Sequence, residues 1–301
     1  MGEQLDSIGR RNRLKPSTTG KRVSPTERDL LWFTKIHEHG PLPSTYLLEY
    51  THGSHKSEKR AKERLTDLFN EANTPHGGPY LTRPMQQFQT IDARYKPLVY
   101  DLAPAAIHAL AEQNLLHGRT AHQGPWWHAL MTSCITSSIE LNCLARKDMN
   151  YIPQSAILAR ADTELRWPTC IADPVSGRSY TKDLLPDGVF GLEYVTKDGP
   201  RYRFYALEAD RATEPLRSGN FHRKSFIRHL LQYQDYIERG GYRKHLKLTA
   251  SMLVLNVTPN EARKTRMMEI TMEHFPHGCN YQLFQGSQPN SNTGWLPDLS
   301  I

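Results

Sequence analysis

Three carboxylates, Asp187, Glu208 and Asp210, are the side chains of this sequence best spaced to do chemistry together. Asp187 opens the run Gly188-Val189-Phe190-Gly191-Leu192, and Glu208 and Asp210 close the run that begins at Tyr202. Between the two runs lies Lys197-Asp198-Gly199-Pro200, and β-type segments joined across Asp-Gly predict a hairpin. With Asp198 and Gly199 as the loop residues, Lys197 faces Pro200, Asp187 faces Asp210 and Val189 faces Glu208. Strand side chains alternate between faces, so Asp187, Glu208 and Asp210 share one side. Opposed Cβ atoms in a sheet sit about 4.5–5.5 Å apart and diagonal ones about 7–8 Å, within reach of one divalent cation. Clustered carboxylates repel one another and resist desolvation, and Mg²⁺ or Mn²⁺ would relieve both penalties. The competing reading is ordinary ion pairing with Arg203, Arg211 or Arg217.

Those acids need a sheet and helices to hold them. A long helix is expected from Trp126 to about Arg146, with Glu140 in its second half as a further candidate metal ligand. Another helix is expected from about Ser218 to Arg239. The apolar run Ser251 to Val257 has the length and composition of a buried strand. A helix from Pro259 to about Phe275 and a last strand at Tyr281–Phe284 complete an α/β domain over residues 125–285, with a flexible tail at 286–301.

The first part of the chain reads differently. Ser24-Pro25-Thr26-Glu27 has the pattern of a capping box, with Ser24 as N-cap and Glu27 reaching back. Leu30, Leu31, Phe33 and Ile36 then recur at helical spacing until Gly40. A second helix starts at Pro43-Ser44, and a third, capped by Ser54, runs to about Ala72 with Ala61, Leu65 and Leu68 facing a core. Short β-type segments follow around Leu81 and Val99, and a helix at Pro104–Leu116 closes the unit. Three helices and then a hairpin is the order of a winged helix-turn-helix, expected here over residues 24–118. In that design the third helix enters the DNA major groove, which makes Lys56, Lys59, Arg60, Lys62 and Arg64 candidate DNA contacts. Arg83, Arg94 and Lys96, in and beside the wing, are further candidates. A solvated surface helix is the alternative, since Glu58, Glu63, Asp67 and Glu71 dilute the charge.

Composition sets the frame for these sites. Lys plus Arg exceed Asp plus Glu by 38 to 31, a net charge of +7 over 301 residues, which favours a polyanionic partner. Residues 1–23 hold Arg10, Arg11, Arg13, Lys15, Lys21 and Arg22 among few apolar residues, and are expected to form a flexible basic arm. No apolar run is long enough for a membrane span, and no secretory signal is expected, so a cytoplasmic protein with no membrane partner is anticipated. Four unpatterned cysteines, Cys134, Cys143, Cys170 and Cys279, are expected to be reduced thiols.

Pro186-Asp187 followed by Glu208-x-Asp210 on the next strand, with helices before and after, resembles the PD-(D/E)XK nuclease superfamily. Together with the winged-helix start, Leu207-Glu208-Ala209-Asp210-Arg211-Ala212-Thr213-Glu214 resembles the plasmid replication-relaxation family, also associated with mobilisation proteins. The resemblance implies that Asp187 and Glu208 hold Mg²⁺ or Mn²⁺, and the strand register adds Asp210 as a further candidate ligand. The resemblance also implies a lysine two residues after the glutamate, where this chain has Asp210; Lys224, on the following helix in line with Ile227 and Leu231, is the substitute. The expected function is that of a mobile-element protein that binds double-stranded DNA and nicks or cleaves it. The alternative is a nuclease fold without the reaction, acting as a replication or mobilisation accessory factor or a transcriptional regulator. Homodimerisation and replication or mobilisation proteins are the expected protein partnerships.

Overall fold

The computed structural model describes residues 13–89, 96–116, 124–174, 176–218, 221–286, 289–290 and 294–295. Its α/β architecture divides into two compact units, Met1–Leu141 and Asn142–Pro289 apart from short C-terminal pieces. The boundary falls near the end of a long helix, whereas the sequence places a linker at His117–Gly124, of which only Gly124 is among the described residues. No described helix is long and apolar enough to cross a membrane.

The first unit contains α1 (Glu27–His39), β1 (Leu42–Pro43), α2 (Ser44–Tyr50), α3 (Glu58–Asn70), β2 (Leu81–Thr82), β3 (Val99–Leu102), α4 (Pro104–Glu112) and most of α5 (Trp126–Leu144). The three short strands form an antiparallel sheet in the order β1-β3-β2. Trp32, Phe33 and Ile36 of α1, Leu47 of α2, and Leu65 and Leu68 of α3 are almost wholly buried, as their helical spacing requires. Residues 131–140 of α5 are buried without a break, although Thr132, Ser133, Thr136, Ser137 and Ser138 lie among them. Ser133, Thr136 and Ser138 satisfy their hydroxyls on carbonyls of the preceding turn, so a polar run can be buried inside a helix.

The capping box of α1 is one turn fragment later than expected. Thr26, not Ser24, is the N-cap, and Asp29, not Glu27, is its reciprocal partner. Asp29 Oδ2 accepts from the Thr26 backbone N–H at 2.8 Å, and Arg64 of α3 donates to both Asp29 oxygens, at 3.2 Å through Nε and 2.6 Å through Nη2. Asp29 is buried at this position, so the cap that also receives a cation is the one that forms.

The second unit is built on a five-stranded mixed sheet of order β10-β9-β8-β7-β4, with β4 (Met149–Ile152), β7 (Gly188–Thr196), β8 (Gly199–Ala209), β9 (Met252–Thr258) and β10 (Gln282–Gly286). The β4–β7 and β7–β8 pairs are antiparallel, and β8–β9 and β9–β10 are parallel. A separate antiparallel pair, β5 (Trp167–Ala172) with β6 (Ser179–Leu184), accompanies helices α6 (Gln154–Ala161), α7 (Phe226–Glu238), α8 (Gly241–His245) and α9 (Glu261–His274). Val189, Phe204, Ala206, Met252 and Val254 of the sheet meet Tyr233 and Tyr236 of α7 in one core. A Cβ on Gly191 would lie 2.7 Å from the ring of its cross-strand partner Phe204, so the pairing requires glycine there.

The hairpin register differs from the expected one by two residues. Thr196 pairs with Gly199 and Val195 with Pro200, leaving Lys197 and Asp198 as the loop. Proline explains the choice. A two-residue hairpin closes on a hydrogen-bonded pair, and the expected register would put Pro200, which has no N–H, in that closing pair. In the observed register Pro200 falls at the next, non-hydrogen-bonded position.

The buried Asp29–Arg64 pair generates a prediction. Asp29→Ala should destabilise the protein by about 3–5 kcal/mol, because it strands a largely buried guanidinium and removes a cap. Glu63→Ala, at the exposed Arg60–Glu63 pair, should cost no more than about 1 kcal/mol. Urea denaturation of both variants measures this; equal losses would show that the Asp29 pair carries no special weight.

Candidate functional site

A shift of two residues preserves parity, so Asp187 and Glu208 still share a face, but they now oppose each other directly. Gly188 pairs with Leu207, and continuing that ladder one step sets Asp187 across from Glu208. The Asp187 backbone N–H donates to Leu207 O at 3.0 Å, and the Ala209 N–H donates to Asp187 Oδ2 at 2.7 Å. Asp187 therefore ties the start of one strand to the end of the other.

Glu208 is buried beneath α7. Tyr233 donates its hydroxyl to Glu208 Oε1, and His229 Nδ1 lies 3.5 Å from Oε2. His229 and Tyr233 are four residues apart on α7, so both present to the sheet from successive turns of one face. Burial and the neighbouring Asp187 charge raise the Glu208 carboxyl above its usual range. Burial alone would lower the His229 pKa, but the Glu208 carboxylate outweighs it and holds the imidazole above its ordinary value. The Tyr233 hydroxyl is pushed well up by burial and by Glu208, which keeps it a donor.

Asp210 faces elsewhere. Its backbone N–H donates to Val257 O at 2.8 Å, and its Oδ2 accepts from Arg263 Nε of α9 at 2.7 Å, while Oδ1 accepts from the Ala212 N–H at 2.6 Å. The ion pair weighed at the sequence level is thus present, with Arg263 in place of Arg203, Arg211 or Arg217. Lys224 is exposed and precedes the N-cap of α7, Ser225, so it does not lie on a helical stripe with Ile227 and Leu231. The helix starts later than expected because Pro215 O and Leu216 O accept the Phe226 and Ile227 N–H groups, at 3.2 and 3.1 Å.

Glu140 belongs to the first unit. Lys35 Nζ bonds its Oε1 at 2.6 Å, His39 Nε2 lies 2.7 Å from Oε2, and the Tyr50 hydroxyl donates to Oε2 at 2.8 Å. Among the described residues, Glu38, His39 and Glu140 are the group whose potential ligand atoms all lie within 4.8 Å of one another. Lys35 already bridges both carboxylates, at 2.7 Å to Glu38 and 2.6 Å to Glu140, and fills the position a cation would take. Asp187, Glu208 and Asp210 do not form such a group. With the Glu208 oxygens facing Tyr233 and His229, and Asp210 facing Arg263, this donor set does not fit one Mg²⁺ or Mn²⁺ as it stands.

The candidate DNA contacts also separate. Lys56, Lys59, Arg60 and Lys62 are exposed at and beyond the start of α3, Arg60 paired with Glu63 at 2.8 Å and Lys62 with Glu58. Arg64 is committed to Asp29 and to Ser24 O. Arg83 is buried, its guanidinium 4.0 Å from the Phe69 ring centroid and bonded to the Tyr100 hydroxyl at 2.9 Å. Lys96 is exposed, and Arg94 lies outside the described residues.

Sequence reading missed His229, Tyr233, Arg263, Lys35 and His39. The first two carried a signal, polar residues four apart on the same side of α7 as the buried Leu230. Arg263 and Lys35 carried none, because each meets its acid across 53 and 105 residues of chain respectively.

Glu140 also yields a pH prediction. Burial opposes its charge, but hydrogen bonding and charge from His39 and Lys35 prevail and bring its pKa down to about 2. A carboxyl depressed on folding contributes stability that is complete above its unfolded pKa and is lost as pH falls through the folded value. At pH 7 Glu140→Gln should therefore be less stable than the native chain by a few kcal/mol, and the gap should close between about pH 4.5 and pH 2. Denaturant titrations across that range measure the gap; a gap independent of pH would assign the loss to packing instead.

The chain matches the model of the replication-relaxation family over residues 33–251. No match was found among curated proteins or among solved structures. The matched span runs from within α1 to the residue before β9, taking in the three-helix unit, the Asp187–Glu208 hairpin and α7. On that span the chain belongs to the replication-relaxation family.

Proposed function

We propose that this protein binds double-stranded DNA of a plasmid or other mobile element through its first unit, and serves there as a non-hydrolytic accessory or regulatory factor. Family membership ties it to replication or relaxation of such an element. The order α1-α2-α3 followed by an antiparallel β-pair is that of a winged helix-turn-helix, in which the N-terminal residues of the third helix approach base edges. Lys56, Lys59 and Arg60 occupy that end of α3 and are exposed. Arg64 and Arg83 act on the same surface indirectly, one locking α3 to α1 and the other stacked beneath it.

The second unit has the strand and helix order of a PD-(D/E)XK-like domain around Asp187 and Glu208. The observation that favours a binding role over a hydrolytic one is the closure of Glu208 by Tyr233 and His229. Tyr233 occupies Oε1, and at Oε2 stands His229, an imidazole held above its ordinary pKa, whose positive charge would oppose a cation at that oxygen. Asp210 at the position of the expected lysine supports the same reading. In this role the carboxylates hold the sheet to α7 and α9.

The test uses supercoiled and linear plasmid DNA from the protein's own host, with Mg²⁺, Mn²⁺ or EDTA. The protein should retard the DNA on a gel in all three conditions, leave it intact, and behave identically as Asp187→Ala. Metal-dependent nicking that disappears in Asp187→Ala would replace this reading with the hydrolytic one. Lys59→Ala/Arg60→Ala should weaken binding across sequences and make the salt dependence shallower by about 1 per lost phosphate contact.

A further inference from the structure

Residues 13–23, expected to be part of a flexible arm, lie along the C-terminal half of α3. The Ser17 N–H donates to Asn70 Oδ1 at 3.1 Å, and the Val23 N–H donates to Asn73 O at 3.1 Å. Thr18 and Thr19 close on Glu71: Thr18 Oγ1 donates to Oε2 at 2.6 Å, and Thr19 donates to Oε1 from its backbone at 3.0 Å and from its hydroxyl at 2.8 Å. Lys21 pairs with Asp67, and Arg83 donates to Arg13 O at 3.1 Å. Glu71 is only 1% exposed, and these donors overcome its desolvation and keep its carboxyl below the usual range.

The partners are informative because of their charge. Helix α3 itself carries four cations and three acids, while residues 13–23 carry four cations and no acid. The arm docks on Asp67 and Glu71 near the end of the helix and leaves Lys56, Lys59 and Arg60 exposed. Thr19 of the arm lines one groove with Lys59 and Lys62 of α3, and the acids Glu58, Glu63, Asp67 and Glu71 share that groove. Bare carboxylates there would repel a phosphate backbone; Lys21 offsets the charge of Asp67, while Thr18 and Thr19 hold the cationic arm in place on Glu71.

We propose that the docked arm is the second half of the DNA-binding surface: it is anchored on Glu71, offsets the charge of Asp67 with Lys21, and adds Lys15 and Arg22 as backbone-phosphate contacts beside the helix. This rests on the DNA-binding reading of the first unit. An arm that masked the helix would act in the opposite direction, so the sign of the effect decides.

The experiment compares three full-length variants with the native protein in binding to a fluorescent duplex at several salt concentrations: Lys15→Ala/Arg22→Ala, Thr18→Ala/Thr19→Ala, and Lys59→Ala/Arg60→Ala. Lys15 and Arg22 are exposed, so the first variant leaves the fold untouched. It should bind roughly tenfold more weakly, with a salt slope shallower by about 2. The second, which frees the arm from Glu71, should also bind more weakly. Native affinity in both arm variants, with a loss only in Lys59→Ala/Arg60→Ala, would overturn the arm's role and leave the DNA-binding reading standing. Tighter binding in Thr18→Ala/Thr19→Ala would overturn it in favour of masking. Absence of duplex binding by the native protein would overturn both.

Discussion

Asp29, Glu71, Glu140 and Glu208 are each withdrawn from water, and a carboxylate in that position must be met by donors or cations or surrender its charge. Each is met, and each meeting joins segments distant in sequence. Asp29 joins α1 to α3 through Arg64, Glu71 joins the arm to α3, Glu140 joins α5 to α1 and α2, and Glu208 joins β8 to α7. Apolar burial supplies most of the driving force for both cores. The carboxylates decide which helix face meets which partner, because a slipped arrangement would leave a charge unpaired at a cost of several kcal/mol.

The same requirement separates scaffold from surface among the basic residues. A guanidinium that satisfies a buried acid, or stacks between rings as Arg83 does between Phe69 and Tyr100, is not available to a phosphate. Arg64, Arg83 and Arg263 therefore hold the fold together, and the cations near the start of α3 and Lys15 and Arg22 of the arm stay exposed. Charge totals conceal this division, since both kinds count equally toward +7.

In the second unit the requirement bears on catalysis. Two opposed carboxylates at the end of a hairpin are a natural start for a metal site, and the sheet supplies them. Tyr233 then donates to Glu208 from within the protein with His229 beside its other oxygen, and Arg263 pairs with Asp210. In a domain so furnished the acids serve packing.

Much of this was legible in the sequence. The apolar periodicities of α1, α3 and α7, the run that became β9, and the alternation that puts Asp187 and Glu208 on one face are local properties, set by helical and strand geometry and visible along the chain. The hairpin's parity survived because period two tolerates a slip of two residues; its register did not, because Pro200, with no N–H, is unsuited to the hydrogen-bonded closing pair. What only the tertiary structure decided was which partner each charge would take. Arg64 meets Asp29, Lys35 meets Glu140 and Arg263 meets Asp210 across 35, 105 and 53 residues, and no sequence spacing specifies such contacts. The sequence determined most of the elements and the shared face of Asp187 and Glu208. The packing of one element on another determined whether each acid would remain open to a ligand or be closed by the protein, because desolvation is a property of the assembled core.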